Sequence, residues 1–263
     1  MKNMLKVDRE KVKAVFKAYT DHYDSSDEKV KLKIDHTYRV ADLCERIVKS
    51  RFEDGTEIQA DIDLAWLLGM LHDVGRFEQL RRYGTFIDAE SVDHAALGAD
   101  ILFREGHIRD YLEASKEEKM IETAIRVHNM YRIPEGLDER TVLFSNILRD
   151  ADKIDILKVN VEVPLEEIYN TTTEELYQSE VTQEVMDSFY EHHAVLRTLK
   201  RTPVDNVVGH ISLTYELVYP ESCRIMREQG YLEKLMNFPS ENEKTRQQFA
   251  LIRQEMHRFL DER

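Results

Sequence analysis

The 263-residue sequence contains few of the residues that shape disulfide-rich and turn-rich proteins, with only two cysteines, nine glycines and five prolines. Cys44 and Cys223 are too few for a disulfide framework or for a cysteine-based zinc site. Architectures rich in β-turns need more glycine and proline, so the composition favours helices. We therefore expect a helical protein in a reducing, cytoplasmic setting.

The sequence also lacks an excess of positive charge and any long apolar run. Its 37 Lys and Arg residues are outnumbered by 51 Asp and Glu residues, for a formal net charge of −14. This acidity opposes binding to a nucleic-acid polymer or an anionic membrane, although a local basic pocket for a small phosphate ester remains compatible with it. The longest apolar run, Leu64 to Leu71, is far too short to cross a bilayer, and the N-terminus lacks the apolar stretch of a signal peptide.

Apolar residues recur at helical spacing along nearly the whole chain, and no segment alternates as a strand would. This pattern predicts an all-α bundle that forms one domain over residues 1–263. The predicted helices span residues 8–23, 30–50, 58–73, 92–105, 115–129, 139–159, 180–200, 205–229 and 241–261. A helix stop is predicted near Gly75, followed by a polar loop over residues 76–90.

Six histidine and aspartate residues interrupt the apolar stripes of five predicted helices. They are His36, His72, Asp73, His94, His128 and Asp152. A lone histidine on such a stripe is usually a core residue bonded to a carbonyl, and a lone aspartate is usually a cap or an ion-pair partner. Burying six polar groups separately would cost several kcal/mol unless each found a partner, whereas one shared cation would satisfy all of them.

The residue types also suit a metal centre. Imidazole and carboxylate ligands without thiolate are compatible with Mn, Fe, Co, Ni, Zn or Mg and do not select one of them. His72 and Asp73 lie about 100° apart on a helix, so both can lean towards one centre. They end a predicted helix, where a bound cation would offset the unfavourable dipole at the aspartate. Asp73 has two carboxylate oxygens and could therefore bridge two metals.

The ordered segments around these residues resemble the HD superfamily of metal-dependent phosphohydrolases, whose signature is the order His, His-Asp, Asp. After His36 come LHDVGR at 71–76, DHAALGADIL at 93–102, IRVHN at 125–129 and LRDADKIDIL at 148–157. The resemblance implies an HD core over residues 30–160. It also implies that a C-terminal helical extension, residues 161–263, shapes the substrate side of the pocket.

The resemblance implies a ligand set for two divalent metal ions. His36, His72, Asp73 and Asp152 would hold the first ion, and His94 and His128 would hold a second, with Asp73 as the bridge. In the HD-GYP branch the fifth motif is His-His and a Gly-Tyr-Pro follows. Here Asn129 replaces the second histidine and IPEGLDER replaces the Gly-Tyr-Pro stretch, which argues against a third metal and against cyclic-dinucleotide specificity.

The implied activity is hydrolysis of a small phosphate ester, a nucleotide being one candidate, by metal-activated water. Asp73, Asp152 and Arg76 would be catalytic: Asp152 could orient the nucleophile, and Arg76, in place of a lysine in the HD-GYP branch, could grip a phosphate bidentately. Candidate substrate contacts besides Arg76 are Arg81, Arg82 and Lys153.

Two other functions remain open for the same residues. Diiron oxygenases that resemble myo-inositol oxygenase share the ligand pattern, and a non-catalytic metal or ligand sensor would keep it as well. Outside the motifs, His192, His193 and His210 are predicted to be surface or packing residues, and Cys44 to be inert core. A homodimer is the default expectation for the oligomeric state.

Overall fold

The computed structural model describes residues 5–51 and 58–263, and this part of the chain contains helices and no strand. The all-α prediction is therefore confirmed. The chain divides into two compact units, Met1–Asp152 and Lys153–Arg263. That residues 1–263 form one domain stays a prediction. Across the described ranges, no helix combines the length and hydrophobicity that crossing a membrane requires.

The first unit is built from seven helices and most of an eighth. They are α1 (Arg9–Thr20), α2 (Glu28–Lys49), α3 (Ile58–Leu71), α4 (Val74–Tyr83), α5 (His94–Ala99), α6 (Ile108–Tyr111), α7 (Glu118–Val127) and α8 (Glu139–Glu162). A π-helical turn, Asp100–Arg104, continues α5, and a 3₁₀ turn, Asp88–Glu90, precedes it. The boundary between the two units falls within α8.

Helices α2 and α3 pack against each other and form the centre of the first unit. The stripe predicted for α2 is buried as expected, with Val40, Cys44 and Ile47 all inaccessible to solvent. Burial raises the pKa of the Cys44 thiol well above its usual value, in keeping with an inert core residue. Leu64 and Leu68 of α3 are equally buried. This packing brings the middle of α2 beside the C-terminal end of α3.

Two helix starts follow the capping signals in the sequence. Asp138 accepts a hydrogen bond from the backbone N–H of Thr141 at 3.0 Å and so caps α8. Glu118 accepts one from the backbone N–H of Ser115 at 2.7 Å, as a capping box requires, although α7 itself begins at Glu118.

The predicted loop over residues 76–90 is wrong in its first half, because residues 74–83 form α4. Phe77 is buried, and Glu78 pairs with Arg81 and Arg82 one turn later, which stabilises a short helix. Gly84 ends α4 in the left-handed conformation, with φ of 70°.

Gly75 does not stop a helix as predicted but lies inside α4. A Cβ at Gly75 would lie 2.2 Å from the carbonyl oxygen of His94 and 2.6 Å from the nitrogen of Gly98. The missing side chain therefore lets α4 and α5 approach each other closely.

The second unit continues from α8 with shorter helices. They are α9 (Leu165–Tyr169), α10 (Thr173–Gln178), α11 (Gln183–Phe189), α12 (Pro203–Ser212), α13 (Pro220–Gln229), α14 (Tyr231–Met236) and α15 (Glu243–Asp261). The predicted helices over 180–200 and 205–229 are too long. Residues 190–202 separate α11 from α12, and Pro220, which has no N–H to donate, begins a new helix.

Candidate metal centre

The first unit brings all six sequence-predicted ligand residues into one cluster. His36 lies on α2, His72 and Asp73 form the turn between α3 and α4, and His94 begins α5. His128 follows the last residue of α7, and Asp152 lies on α8. The four histidines and Asp73 are at most 4% exposed, and the Asp152 side chain is 15% exposed. The six residues come from five separate segments of the chain, so the cluster exists only in the folded unit.

Asp73 lies between two sets of these groups. Its Oδ2 is 3.5 Å from Nε2 of His36 and 3.5 Å from Nε2 of His72. Its Oδ1 is 3.5 Å from Nε2 of His94 and 3.9 Å from Nε2 of His128. Asp152 joins the first set, since its Oδ1 is 3.2 Å from Nε2 of His36. The carboxylate of Asp73 thus presents one oxygen to each set, as a bridging ligand would.

The rings of His72 and His128 present lone pairs, rather than protons, to the centre. Nδ1 of His72 lies 2.7 Å from the carbonyl oxygen of Gly69, and Nδ1 of His128 lies 2.7 Å from that of Ile125. A carbonyl oxygen can only accept a hydrogen bond, so each Nδ1 carries the proton and Nε2 of the neutral ring is bare.

The two sets also bring imidazole nitrogens close to each other. Nε2 of His94 lies 3.1 Å from Nε2 of His128, and the corresponding distance between His36 and His72 is 3.3 Å. Nε2 of His94 and Nε2 of His128 are both bare, because the Nδ1 atoms carry the protons, so these two nitrogens cannot hydrogen-bond to each other. A cation between such acceptors would satisfy both.

Burial keeps these groups in the states that bind metals. Burial, followed by repulsion from Arg76, lowers the pKa of His94 to about 4. Burial and the neighbouring His72 lower the pKa of His128 to about 4 as well. For Asp73, burial would raise the pKa, but the charge of Lys33 and the adjacent histidines together hold it well below its ordinary range. Near neutral pH the centre therefore combines the uncharged imidazoles of His72, His94 and His128 with ionised carboxylates, the donor set of Mn, Fe, Co, Ni or Zn sites.

A further carboxylate, Asp88, orients His94. Its Oδ2 accepts a hydrogen bond from Nδ1 of His94 at 2.7 Å, which directs the opposite nitrogen towards Asp73. Arg76 and Gln79 donate to the other oxygen of Asp88 at 2.8 and 2.9 Å. Carboxylates that hold the remote nitrogen of a ligand histidine fix its tautomer and raise its basicity.

Arg149 fixes the end of α7 that carries His128. This arginine is 6% exposed, and its Nη1 donates to the carbonyl oxygens of Val127 and His128 at 2.9 and 3.1 Å and to that of Met130 at 2.5 Å. Carbonyls at a helix C-terminus lack partners within the helix, and a positive charge there also complements the dipole. Arg149 therefore holds the turn from which His128 reaches the centre.

Two positive charges lie beside Asp73. Nζ of Lys33 is 2.7 Å from Oδ2, and Nε of Arg76 is 3.7 Å from Oδ1. Both cations also lie near the ring of Phe86, at 5.6 and 5.8 Å from its centroid. Two cations therefore lie beside the carboxylates of the centre, although the chain as a whole is acidic.

Two of the other predicted substrate contacts, Arg81 and Arg82, are not brought to this cluster by any described contact. Arg81 donates to Glu78 at 2.6 Å, and Arg82 pairs with the same carboxylate. Their side chains are 64% and 48% exposed. Lys153 directly follows Asp152 on α8 and is buried. The roles proposed for these three residues stay predictions.

Comparison with known families agrees with this geometry. Residues 34–157 match the model of the HD domain family. The chain contains an HD domain. All six clustered residues lie within the matched span. No curated protein and no solved structure matches the chain.

The HD domain is the fold of a superfamily of metal-dependent phosphohydrolases, and the cluster is compatible with divalent metal binding. His36, His72 and Asp152 place one ligand atom each within 4.8 Å of one another, and His72, Asp73 and His128 do the same.

Three residues that support the cluster were not identified from the sequence. Lys33 precedes His36 by three positions, so helical periodicity alone places the two on one face of α2. Arg149 is a cation on α8 whose partners, the carbonyls after α7, are about twenty positions away. Asp88 lay in the segment predicted to be a loop, and no spacing rule connects it to His94.

Proposed function

We propose that this protein is a metal-dependent phosphohydrolase that uses two divalent ions to hydrolyse a small phosphate ester. The observation that carries the proposal is the position of Asp73, with one carboxylate oxygen towards His36 and His72 and the other towards His94 and His128.

The first ion would be held by His36, His72, Asp73 and Asp152, and the second by Asp73, His94 and His128. Divalent ions bound there would lower the pKa of a water molecule and neutralise negative charge on the phosphate oxygens. The donor geometry supports this assignment, because Nε2 of His72, His94 and His128 are bare and face the carboxylate oxygens of Asp73.

Arg76 has an edge available for an oxyanion. Its Nη1 donates to Gln79, to the carbonyl oxygen of Phe86 and to Asp88, at 2.7 to 2.8 Å, which fixes the guanidinium. Its Nε is buried and has no hydrogen-bond partner among the described residues. Nε and Nη2 form the side of the guanidinium that binds two oxygens of a phosphate in parallel. Arg76 would therefore position the substrate and stabilise its charge.

Asp152 is the most exposed of the ligand residues, and its side chain remains 15% accessible. Burial would raise its pKa, but the hydrogen bond and charge of His36 outweigh that effect and keep the pKa low. An ionised carboxylate at this position can accept a hydrogen bond from the attacking water and orient it towards phosphorus.

The positive charges of Lys33 and Arg76 favour hydrolysis of an anionic ester over oxygenase chemistry on a neutral substrate. The two activities differ in a direct test. Purified protein loaded with Mn²⁺ is screened anaerobically for phosphate release from phosphomonoesters and phosphodiesters, while oxygen uptake is recorded in air after loading with Fe²⁺.

We expect phosphate release without oxygen consumption, and its loss in Asp73→Ala. Asp110→Ala is the matched control, since Asp110 is an exposed aspartate of the same unit that pairs with His107. Oxygen uptake with no phosphate release would identify an oxygenase. Stoichiometric metal with neither activity on any ester would favour a sensor, and absence of bound metal would refute the assignment.

A further inference from the structure

The second unit contains a cluster of positive groups that the proposed reaction does not use. Arg197 lies in a 3₁₀ turn, Lys200 follows that turn, and His210 lies on α12. The three are close enough for the charges of Lys200 and Arg197 to act on the imidazole. Burial, followed by these two charges, lowers the pKa of His210 to about 3.

The side chain of Lys200 is held against the backbone of α12. A Cβ at position 209 would lie 2.3 Å from Nζ of Lys200 and 2.4 Å from its Cε. The ammonium end of Lys200 therefore occupies the space that a side chain at position 209 would fill. Lysine ammonium groups normally extend into solvent or pair with an acid.

Neither Lys200 nor Arg197 has a side-chain hydrogen bond or an ion pair with any residue of the described ranges 5–51 and 58–263. The nearby acid, Asp205, is committed elsewhere, because it accepts hydrogen bonds from Thr182, from the backbone of Arg201 and from the backbone of Thr202. Burial, followed by repulsion from Arg197, lowers the pKa of Lys200 to about 8. Asp205 acts on Lys200 only at a distance, and a mostly buried ammonium without an ion-pair partner is costly unless a ligand supplies negative charge beside it.

Polar neighbours fix the imidazole of His210. Asn160 donates to the carbonyl oxygen of Ile156 at 2.8 Å and accepts the hydroxyl hydrogen of Tyr169 at 2.9 Å. The oxygen of Tyr169 can then only accept from Nδ1 of His210, which lies 3.4 Å away. Nε2 of the neutral ring is therefore an acceptor. A protonated phosphate carries oxygens for the two cations and a hydroxyl for such an acceptor.

We propose that Arg197, Lys200 and His210 form an oxyanion-binding site that takes a phosphate group. Lys200 is mostly buried, Arg197 repels it, and neither forms an ion pair within the described ranges, so a bound oxyanion would offset both charges. The proposal concerns the second unit alone and does not depend on metal binding or hydrolysis in the first.

The test uses full-length protein freed of metal with a chelator, so that a failure of the proposed hydrolase activity cannot affect it. Titration calorimetry with inorganic phosphate and thermal unfolding with and without phosphate are compared for wild type, Lys200→Met and Lys244→Met. Lys244 is an exposed lysine of the same unit that pairs with Glu180, so its variant is the control for loss of one positive charge.

We expect wild type and Lys244→Met to bind phosphate and to melt at higher temperature in its presence. Lys200→Met should bind at least tenfold more weakly and lose the phosphate-dependent shift. Without phosphate this variant should melt no lower than wild type, because it removes a buried charge that has no partner. If Lys200 had only a structural role, its replacement would lower the melting temperature equally with and without phosphate.

A second ligand distinguishes a free ion from the phosphate of a larger molecule. Equal affinity for inorganic phosphate and adenosine monophosphate would assign the site to the free ion, whereas tighter binding of the ester would assign it to a phosphate monoester. Should Lys200→Met fail to fold, Arg197→Met serves instead, since that side chain is exposed. No saturable binding to wild type, or unchanged affinity in a folded variant, would overturn the proposal.

Discussion

The two units contain clusters of opposite kinds of polar group, acceptors in the first and positively charged donors in the second. In the first unit, Nε2 of His94 and Nε2 of His128 meet carboxylate oxygens, and these groups only accept hydrogen bonds. In the second, Lys200 and Arg197 are donors and positive charges. Buried polar groups are nearly always satisfied. A set of acceptors without protein donors therefore indicates a cationic ligand, and a set of cations without protein acids indicates an anionic one. This difference supports the two proposals of a cation in the first unit and an anion in the second.

Asp73→Ala should have the largest effect of the proposed variants, on the cluster of acceptors in the first unit. Removing the carboxylate that faces both sets of histidines should abolish binding of both ions and reduce phosphate release by more than about 100-fold. Metal content and turnover are measured on the same preparations, with Asp110→Ala as the control. Retention of both metals in the variant would show that Asp73 is not the bridge.

Asp88→Asn should affect the two sets of ligands unequally, and so tests whether they hold separate ions. The amide keeps the shape of the side chain but weakens its hold on Nδ1 of His94, so the ion at His94 and His128 should bind about 10- to 100-fold more weakly. The ion at His36 and His72 should be affected less. Stepwise Mn²⁺ titration measures both affinities, and equal weakening of both would contradict an action through His94.

Arg149→Met should test how far the fold itself holds the cluster. The carbonyl oxygens after α7 would lose a buried donor, so the free energy of unfolding should fall by about 1 to 3 kcal/mol. Urea unfolding measures this, with Arg104→Met as control because the Arg104 side chain is 79% exposed. A loss no larger in Arg149→Met than in Arg104→Met would show that the contacts to α7 contribute little.

The smallest expected effect is a pH dependence of the second unit. The pKa of Lys200 is about 8 in the folded chain, below its ordinary 10.5. Between these values the unfolded chain binds more protons, so this lysine makes stability rise with pH across that window. Comparing wild type with Lys200→Met in phosphate-free buffer should show wild type gaining stability relative to the variant as the pH rises across the window, by less than the roughly 1.4 kcal/mol per pH unit of a fully buried group, because Lys200 is partly exposed. Parallel stability curves would indicate that Lys200 is solvated.

The parts of the fold that the sequence predicted are those with long, regular apolar stripes. Helices α2, α3, α7 and α8 follow their periodicity, and the ligand residues were visible as polar interruptions of it. Helix α4 was missed because it is short and polar, and because Gly75 serves a helix contact that no local pattern reveals.

The supporting residues could be predicted only in part. Lys33 is recoverable from its spacing to His36. The hydrogen bonds of Asp88 and Arg149 join segments whose proximity depends on the tertiary fold. In the second unit, the proximity of Lys200 to His210 arises in the same way, which is why His210 was interpreted as a packing residue.

The most direct test of the central claim is the number of divalent ions that the purified chain binds, determined by Mn²⁺ titration with elemental analysis. We predict two ions per chain in wild type and fewer than one in Asp73→Ala. Fewer than one ion in wild type, or equal contents in the two proteins, would contradict this claim.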